Sequence, residues 1–181
     1  GSYNTAYGYQ ALEHSTTAND NVAVGYQCLE DTTTGHSNAA VGRNALTNNE
    51  TGHSNAVLGA YAMDEGTGAD GNVAIGYEAL SAHTQNNNVA VGYRAMTTST
   101  TGGENTAVGN AAMRDGTGYI HCVAIGASAL EDNNNHRNTA VGYHTLKANT
   151  SGADNVGLGY HALLANTSGL GNVCLGNSAG Q

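Results

Sequence analysis

The sequence predicts an all-β protein: a parallel β-solenoid, or β-roll, of about eleven coils with two short strands in each coil. Three observations indicate this fold class. A unit of 16 or 17 residues recurs along the whole chain. Each unit begins with a short run that is rich in β-branched residues. The residues between these runs are mostly Thr, Asn, Asp and Gly, which favour turns.

The repeat is clearest at the glycine that closes each apolar run. Successive glycines of this set are 17 residues apart in eight intervals and 16 apart in two. They are Gly8, Gly25, Gly42, Gly59, Gly76, Gly92, Gly109, Gly126, Gly142, Gly159 and Gly176. Both one-residue deletions, in the units starting at 72 and 122, can be placed in the polar filler. The filler is therefore predicted to be loop.

The unit NVAVGYQCL at residues 21–29 illustrates the predicted elements. Its apolar run suits a short strand, and the glycine that follows allows a bend that other residues disfavour. The Tyr-x-Ala-Leu segment is predicted to form the second strand. A helix is disfavoured because glycine recurs in every unit and because helical repeats are longer, at roughly 33–47 residues.

The whole chain, residues 1–181, is predicted to be one repetitive β-roll segment. The chain begins and ends inside a unit, since Gly1–Asn4 aligns with the loop end Gly35–Asn38. We therefore expect an excerpt of a longer fibre.

The composition limits the core and the partners. The chain has 26 Gly and 10 Tyr, no Pro, Phe or Trp, and only 10% charged residues. Large apolar side chains are scarce, so a thin core is expected. The net charge is −9 and the five basic residues are scattered, which argues against nucleic acid and anionic membranes as partners. No apolar run approaches the ~20 residues that span a bilayer.

Asparagine opens ten of the eleven units, and Cys122 takes its place in the remaining one. Stacked asparagines are predicted to form a ladder in which each amide bonds to the next coil. The residues of this structural ladder are Asn21, Asn38, Asn55, Asn72, Asn88, Asn105, Asn138, Asn155 and Asn172.

The first strand has two apolar faces, because side chains alternate along a strand. We expect the second and fourth places, such as Val22 and Val24, to fill the coil together with the leucines of the second strand. We expect the alanines at the third place to point outward and to form a subunit interface. They are Ala23, Ala40, Ala74, Ala90, Ala107, Ala124 and Ala140. This arrangement predicts a homo-oligomer with cyclic symmetry.

Tyrosine recurs directly after the closing glycine. The candidate aromatics are Tyr26, Tyr77, Tyr93, Tyr143 and Tyr160. They could stack against sugar rings or a partner protein. Alternatively, they could fill the groove between subunits with only the hydroxyl exposed.

Other reactive residues give no catalytic pattern. We predict no enzyme activity, no cofactor and no metal site. His36 and His53 are one period apart, as are His144 and His161, and both pairs are interpreted as stacked surface histidines. The three cysteines occupy different places in the unit and are interpreted as small buried residues without a disulfide. The acidic residues do not follow the calcium-binding repeat of β-rolls.

The units NVAVGYQCL, NVAIGYEAL and NTAVGNAAM resemble the head repeats of trimeric autotransporter adhesins, although the period there is shorter. The fuller NTAVGYxAL form is similar to repeats of phage tail-fibre proteins. These resemblances imply a left-handed parallel β-roll in a tight, intertwined homotrimer. They also imply an extracellular location, on a virion fibre or a bacterial surface, and a glycan or protein receptor on the host surface.

We therefore expect a non-catalytic structural and adhesive segment of a trimeric surface fibre, which spaces its ends apart and binds host receptors. Two alternatives remain open. The first is an ice-binding β-solenoid, which is disfavoured because no Thr-x-Thr column persists through the coils. The second is a glycan-depolymerising spike with an intersubunit site, which is disfavoured because no coil breaks the pattern.

Overall fold

The computed structural model describes residues 1–181 and is a parallel β-solenoid. Eleven strands of three residues form one sheet without helices, and each strand pairs with the next one along the chain. The strands are β1 Thr5–Tyr7, β2 Val22–Val24, β3 Ala39–Val41, β4 Ala56–Leu58, β5 Val73–Ile75, β6 Val89–Val91, β7 Thr106–Val108, β8 Val123–Ile125, β9 Thr139–Val141, β10 Val156–Leu158 and β11 Val173–Leu175. The predicted all-β parallel β-solenoid is confirmed.

The register of the sheet follows the register of the repeat. Ala23 pairs with Ala40, one unit further along the chain. The two 16-residue units keep the same register, since Ala74 pairs with Ala90 and Ala124 with Ala140. The missing residue is therefore absorbed outside the strands. Ten steps of about 4.8 Å give a rod roughly 50 Å long.

The prediction of a second strand in each coil is wrong. The Tyr-x-Ala-Leu segment forms turns, in which alternate residues such as Gln27 and Leu29 have φ angles of 52° and 53°. Cys28 and Leu29 are both buried, whereas neighbouring residues of a strand face opposite sides. The segment turns a corner around the core. Its backbone still bonds to the next coil, as from the Leu29 N–H to the Ala45 carbonyl at 3.1 Å.

The glycine that closes each strand is required by the close stacking of the coils. Gly92 has a φ of 139°, and a Cβ at this position would overlap the carbonyl group of Gly109 in the next coil. The same overlap would occur at this place in every coil from Gly8 to Gly159. Glycine therefore lets the backbones of successive coils meet at this corner, in a conformation that other residues rarely adopt.

The core is a narrow column of alanine, leucine and methionine side chains inside the coils. Ala74 of β5 and Leu80 of the following turn are fully buried, as are their equivalents in the neighbouring coils. One change of size in the core is matched in the neighbouring coil. Gly157 replaces the usual alanine, and a Cβ there would lie 2.7 Å from the Thr145 Cγ2. The larger Thr145 thus fills the space that Gly157 leaves.

We expect Gly92→Ala to lower the free energy of unfolding by about 1–3 kcal/mol, because the new methyl group must displace the backbone of the next coil. Gly176→Ala is the matched control. Gly176 has the same place and a φ of 120°, but nothing lies within 4 Å of a Cβ built on it. Chemical denaturation of both variants checks this prediction. Equal losses would show that the backbone conformation, and not the contact between coils, requires glycine.

Candidate functional site

The predicted asparagines lie in one continuous column. The Oδ1 atom of each accepts the backbone N–H of the next asparagine, as from Asn38 to Asn21 at 2.9 Å. Except in Asn88 and Asn172, its Nδ2 atom donates to a carbonyl at the end of its own coil, as from Asn21 to Gly35 at 2.9 Å. Most asparagines of the column therefore close one coil and attach it to its neighbour. The column extends to Asn172 and is interrupted at one position.

Cys122 is the interruption. Its N–H donates to Asn105 Oδ1 at 2.9 Å, as an asparagine would. Toward the next coil it offers only its sulfur, which lies 3.4 Å from the backbone nitrogen of Asn138. A cysteine sulfur is a weak acceptor, so the contact between coils is weaker at this step.

The prediction that the third-place alanines form a subunit interface is wrong. Ala23, Ala40, Ala74, Ala90, Ala107, Ala124 and Ala140 all have no exposed surface in the single chain and belong to its own core. The reason is the size of the coil. A loop of 17 residues encloses little space, and only a small side chain fits between the strand and the Ala-Leu corner. The residues on either side of each alanine, which are larger except at Ala39, therefore point outward.

These outward residues form a surface that we call the outer ribbon. It consists of two columns, the first and third residues of strands β2–β11. The third-residue column is Val24, Val41, Leu58, Ile75, Val91, Val108, Ile125, Val141, Leu158 and Leu175. Every member of this column is apolar, and Leu58, Ile125 and Leu158 are 51%, 42% and 49% exposed. The other column is mainly Val, with Ala or Thr at four levels.

The candidate tyrosines lie beside the outer ribbon, two residues after it in the chain, and all are partly exposed. Tyr77 and Tyr93 stack with their ring centroids 5.5 Å apart, and Tyr143 and Tyr160 stack at 5.4 Å. Tyr26 stacks on the ring before it in the column at 5.3 Å. Because neighbouring rings cover one another, mainly their edges face solvent.

The tyrosine column contains one residue that was not among the predicted site residues. Arg43 follows the closing glycine of its unit, so it takes the place of a tyrosine. Its guanidinium carbon lies 5.5 Å from the Tyr26 ring centroid and 5.6 Å from that of Tyr61. Aligning the units would have placed Arg43 in this column.

The predicted histidine pairs do stack, at 3.9 Å for His36 and His53 and at 5.4 Å for His144 and His161. No group of three or more His, Cys, Asp or Glu side chains converges on a point that could hold a metal ion. The cysteines are free thiols. Burial raises the pKa of the Cys28 thiol to about 11.

His83 is a buried polar residue that the sequence did not single out. It lies in the loop of the first 16-residue unit, where its Nδ1 donates to the Ser99 carbonyl at 2.6 Å. Its Nε2 accepts from Asn88 Nδ2, also at 2.6 Å. These partners require the neutral ring. Burial lowers the pKa of His83 to about 4.

The surface carries no enclosed pocket. No helix in the structure is long and apolar enough to cross a membrane.

No protein-family model, curated protein or solved structure matches this chain. The candidate site is therefore defined by the exposed side chains: the outer ribbon and the aromatic column beside it.

We expect Cys122→Asn to stabilise the chain by about 1 kcal/mol, because the new amide oxygen would accept the Asn138 N–H. Cys122 opens one of the two 16-residue units. Asn72 opens the other and accepts the Asn88 N–H at 2.8 Å, so asparagine fits a coil of this length. Denaturation midpoints check the prediction. Cys122→Ser is the control, and a serine variant as stable as the asparagine variant would contradict a role for the amide.

We expect acid to destabilise the fold through His83. Its pKa is about 4 in the folded chain, against an ordinary value of 6.5, so the unfolded chain binds the proton more readily between these values. The contribution of neutral His83 to the free energy of unfolding is complete above pH 6.5. The free energy of unfolding then falls by about 3 kcal/mol as the pH drops toward 4.

Denaturation at several pH values in this window checks the effect of His83. Asn49 and Asn133 take the same place in other coils, so His83→Asn is the matched variant. It should lose less stability than the original chain as the pH falls. Parallel curves for the two proteins would contradict the assignment.

Proposed function

We propose that this chain is a non-catalytic structural and adhesive rod that assembles with copies of itself into a surface fibre. The observation that carries this proposal is the outer ribbon. Its third-residue column is apolar at every level from Val24 to Leu175, and much of it is exposed in the single chain. An isolated chain would leave this whole strip in water.

The size of the ribbon supports a stable interface. A strip about 10 Å wide and 50 Å long covers roughly 500 Å². This is near the upper end for the largest apolar patch of a typical monomer, roughly 300–600 Å². With the adjoining tyrosine column the area approaches the roughly 800 Å² that each partner buries in a standard interface.

A second copy of the chain is the partner that fits the ribbon best. Stacked coils repeat about every 4.8 Å, so equivalent side chains of two parallel copies lie at the same height along the rod in every coil. A surface with another spacing would lose this match after a few coils. A cyclic arrangement lets every chain use the ribbon in the same way. The resemblance to autotransporter heads and tail fibres favours three chains.

The adhesive role and the location are inferred from the same resemblance. A rod of this kind holds the end of the fibre away from the surface to which the fibre is attached. Its exposed loops and tyrosines are available to a glycan or protein receptor. We therefore place the fibre outside the cell, on a virion or a bacterial surface. No nucleic acid and no inserted membrane segment is part of this proposal.

The two alternative functions find less support on the exposed face. Ordering ice needs a regular array of hydroxyl groups, but the outward column has threonine only at Thr5, Thr106 and Thr139. A thermal-hysteresis assay tests ice binding directly. Glycan depolymerisation can be tested with host surface polysaccharide.

The oligomeric state tests the assembly. Light scattering at micromolar concentration is expected to give three times the 18.3 kDa mass of one chain. Ile125→Glu and Leu58→Glu place a charge in the ribbon and should yield monomers that keep the β-sheet circular dichroism signal. Leu58→Thr, a milder change, should weaken assembly without endangering the fold.

Gln85→Glu adds the same charge in an exposed loop away from the ribbon and should remain oligomeric. A folded monomer of the original sequence would overturn the proposal. So would assembly that is unaffected by both ribbon variants.

A further inference from the structure

One basic side chain differs from the other four. Arg94, Arg114, Arg137 and Lys147 each contact a carboxylate at 2.5–3.0 Å. Arg43 forms no ion pair and is exposed. On a chain with a net charge of −9, Arg43 is thus the one basic side chain without a carboxylate partner.

The surroundings of Arg43 hold its guanidinium in place. The Tyr26 and Tyr61 rings lie on two sides of it, at 5.5 and 5.6 Å from the guanidinium carbon. Such contacts stabilise a cation without neutralising it. Of the five N–H donors, only that on Nε has a protein acceptor, Asn44 Oδ1, at the long distance of 3.4 Å. The remaining donors are free to bind a ligand.

Neutral amide groups flank the arginine. Gln27 Nε2 donates to Gln10 Oε1 at 3.1 Å, and Asn44 Nδ2 donates to Gln27 Oε1 at 3.4 Å. Together with the tyrosine hydroxyls, these half-buried amides offer both donors and acceptors along one side of the column. A ligand rich in hydroxyl groups could use them.

We propose that Arg43, Tyr26 and Tyr61, with the amides of Gln27 and Asn44, form a binding site for a sugar that carries a carboxylate. The carboxylate pairs with the free edge of the Arg43 guanidinium, which suits a bidentate contact. The sugar hydroxyls bond to the amides and phenols, and the apolar face of the sugar ring packs against the exposed edges of the tyrosine rings. The inference rests on the adhesive part of the proposed function, but it needs only one chain.

The charge balance favours a singly charged ligand. The site offers one positive charge on a chain with a net charge of −9, so a dense polyanion would be repelled by the rest of the surface. A single carboxylate on an otherwise neutral oligosaccharide matches the site. Arg94 provides an internal comparison: its guanidinium also faces a tyrosine, Tyr93, at 5.3 Å, but Glu78 already holds it at 2.6 Å.

Calorimetric titration at low salt tests the site with four sugars: sialyllactose, a disaccharide ending in glucuronic acid, neutral lactose and lactose 3-sulfate. At least one carboxylated sugar is expected to bind, and lactose should bind at least tenfold more weakly. Arg43→Gln should lower the affinity for the carboxylated sugar at least tenfold. Arg43→Lys should lower this affinity severalfold, since an ammonium cannot form the bidentate pair.

Arg137→Gln is the matched control, because Arg137 is an exposed arginine whose guanidinium is held by Asp154 at 2.6 Å. It should bind the sugar like the original chain. Equal binding by the Arg43→Gln and Arg137→Gln variants would overturn the site, as would no binding of either carboxylated sugar at millimolar concentration. Tighter binding of lactose 3-sulfate than of either carboxylated sugar would overturn the choice of ligand.

The same titration with Ile125→Glu separates this inference from the assembly. Ile125 lies on the outer ribbon, five coils from Arg43. Sugar binding by a monomeric variant should equal that of the original chain. Loss of binding in an intact oligomer would therefore reject the sugar site alone, and a monomeric original chain that binds the sugar would reject assembly alone.

Discussion

Backbone hydrogen bonds set the distance between successive coils at about 4.8 Å, and the rest of the structure depends on this spacing. Each place in the unit must accept a copy of itself directly above and below. Glycine meets this requirement at the corner after the strand, where the carbonyl of Gly109 leaves no room for a Cβ on Gly92. Asparagine meets it at the start of the unit, since one amide can both accept from the next coil and close its own coil. The strict repeat is thus a consequence of stacking.

A coil of this size leaves a core only a few side chains wide. Two neighbouring residues of each turn, such as Ala45 and Leu46, both point inward, which requires Leu46 to adopt a left-handed φ of 53°. That conformation costs about 1–2 kcal/mol for a residue other than glycine, whereas full burial of a leucine contributes roughly 1.5–3 kcal/mol. Burial therefore offsets the unfavourable backbone. The remaining large apolar residues cannot fit inside, so they form the outer ribbon.

The chain thereby separates the residues that stack from those that face outward. At the stacked places a change of size can be compensated by a neighbouring coil, as with Thr145 and Gly157. The place after the closing glycine is less restricted: it accepts tyrosine in most coils, but also Arg43 and Asn110. A repetitive scaffold can therefore carry a local site without altering its core, and this is where we place the candidate sugar contact.

The sequence by itself determined the repeat, the parallel stacking and the asparagine column, because these depend on spacing along the chain. It did not determine which face of the strand is buried. Alternation gives two apolar faces, and only the width of the closed coil decides that Ala74 lies inside and Ile75 outside. The second strand was predicted from composition, yet the coil must turn a corner there. The Arg43 site arises because stacking places Tyr26 and Tyr61, residues far apart in the chain, on two sides of the Arg43 guanidinium, an arrangement that only the tertiary structure creates.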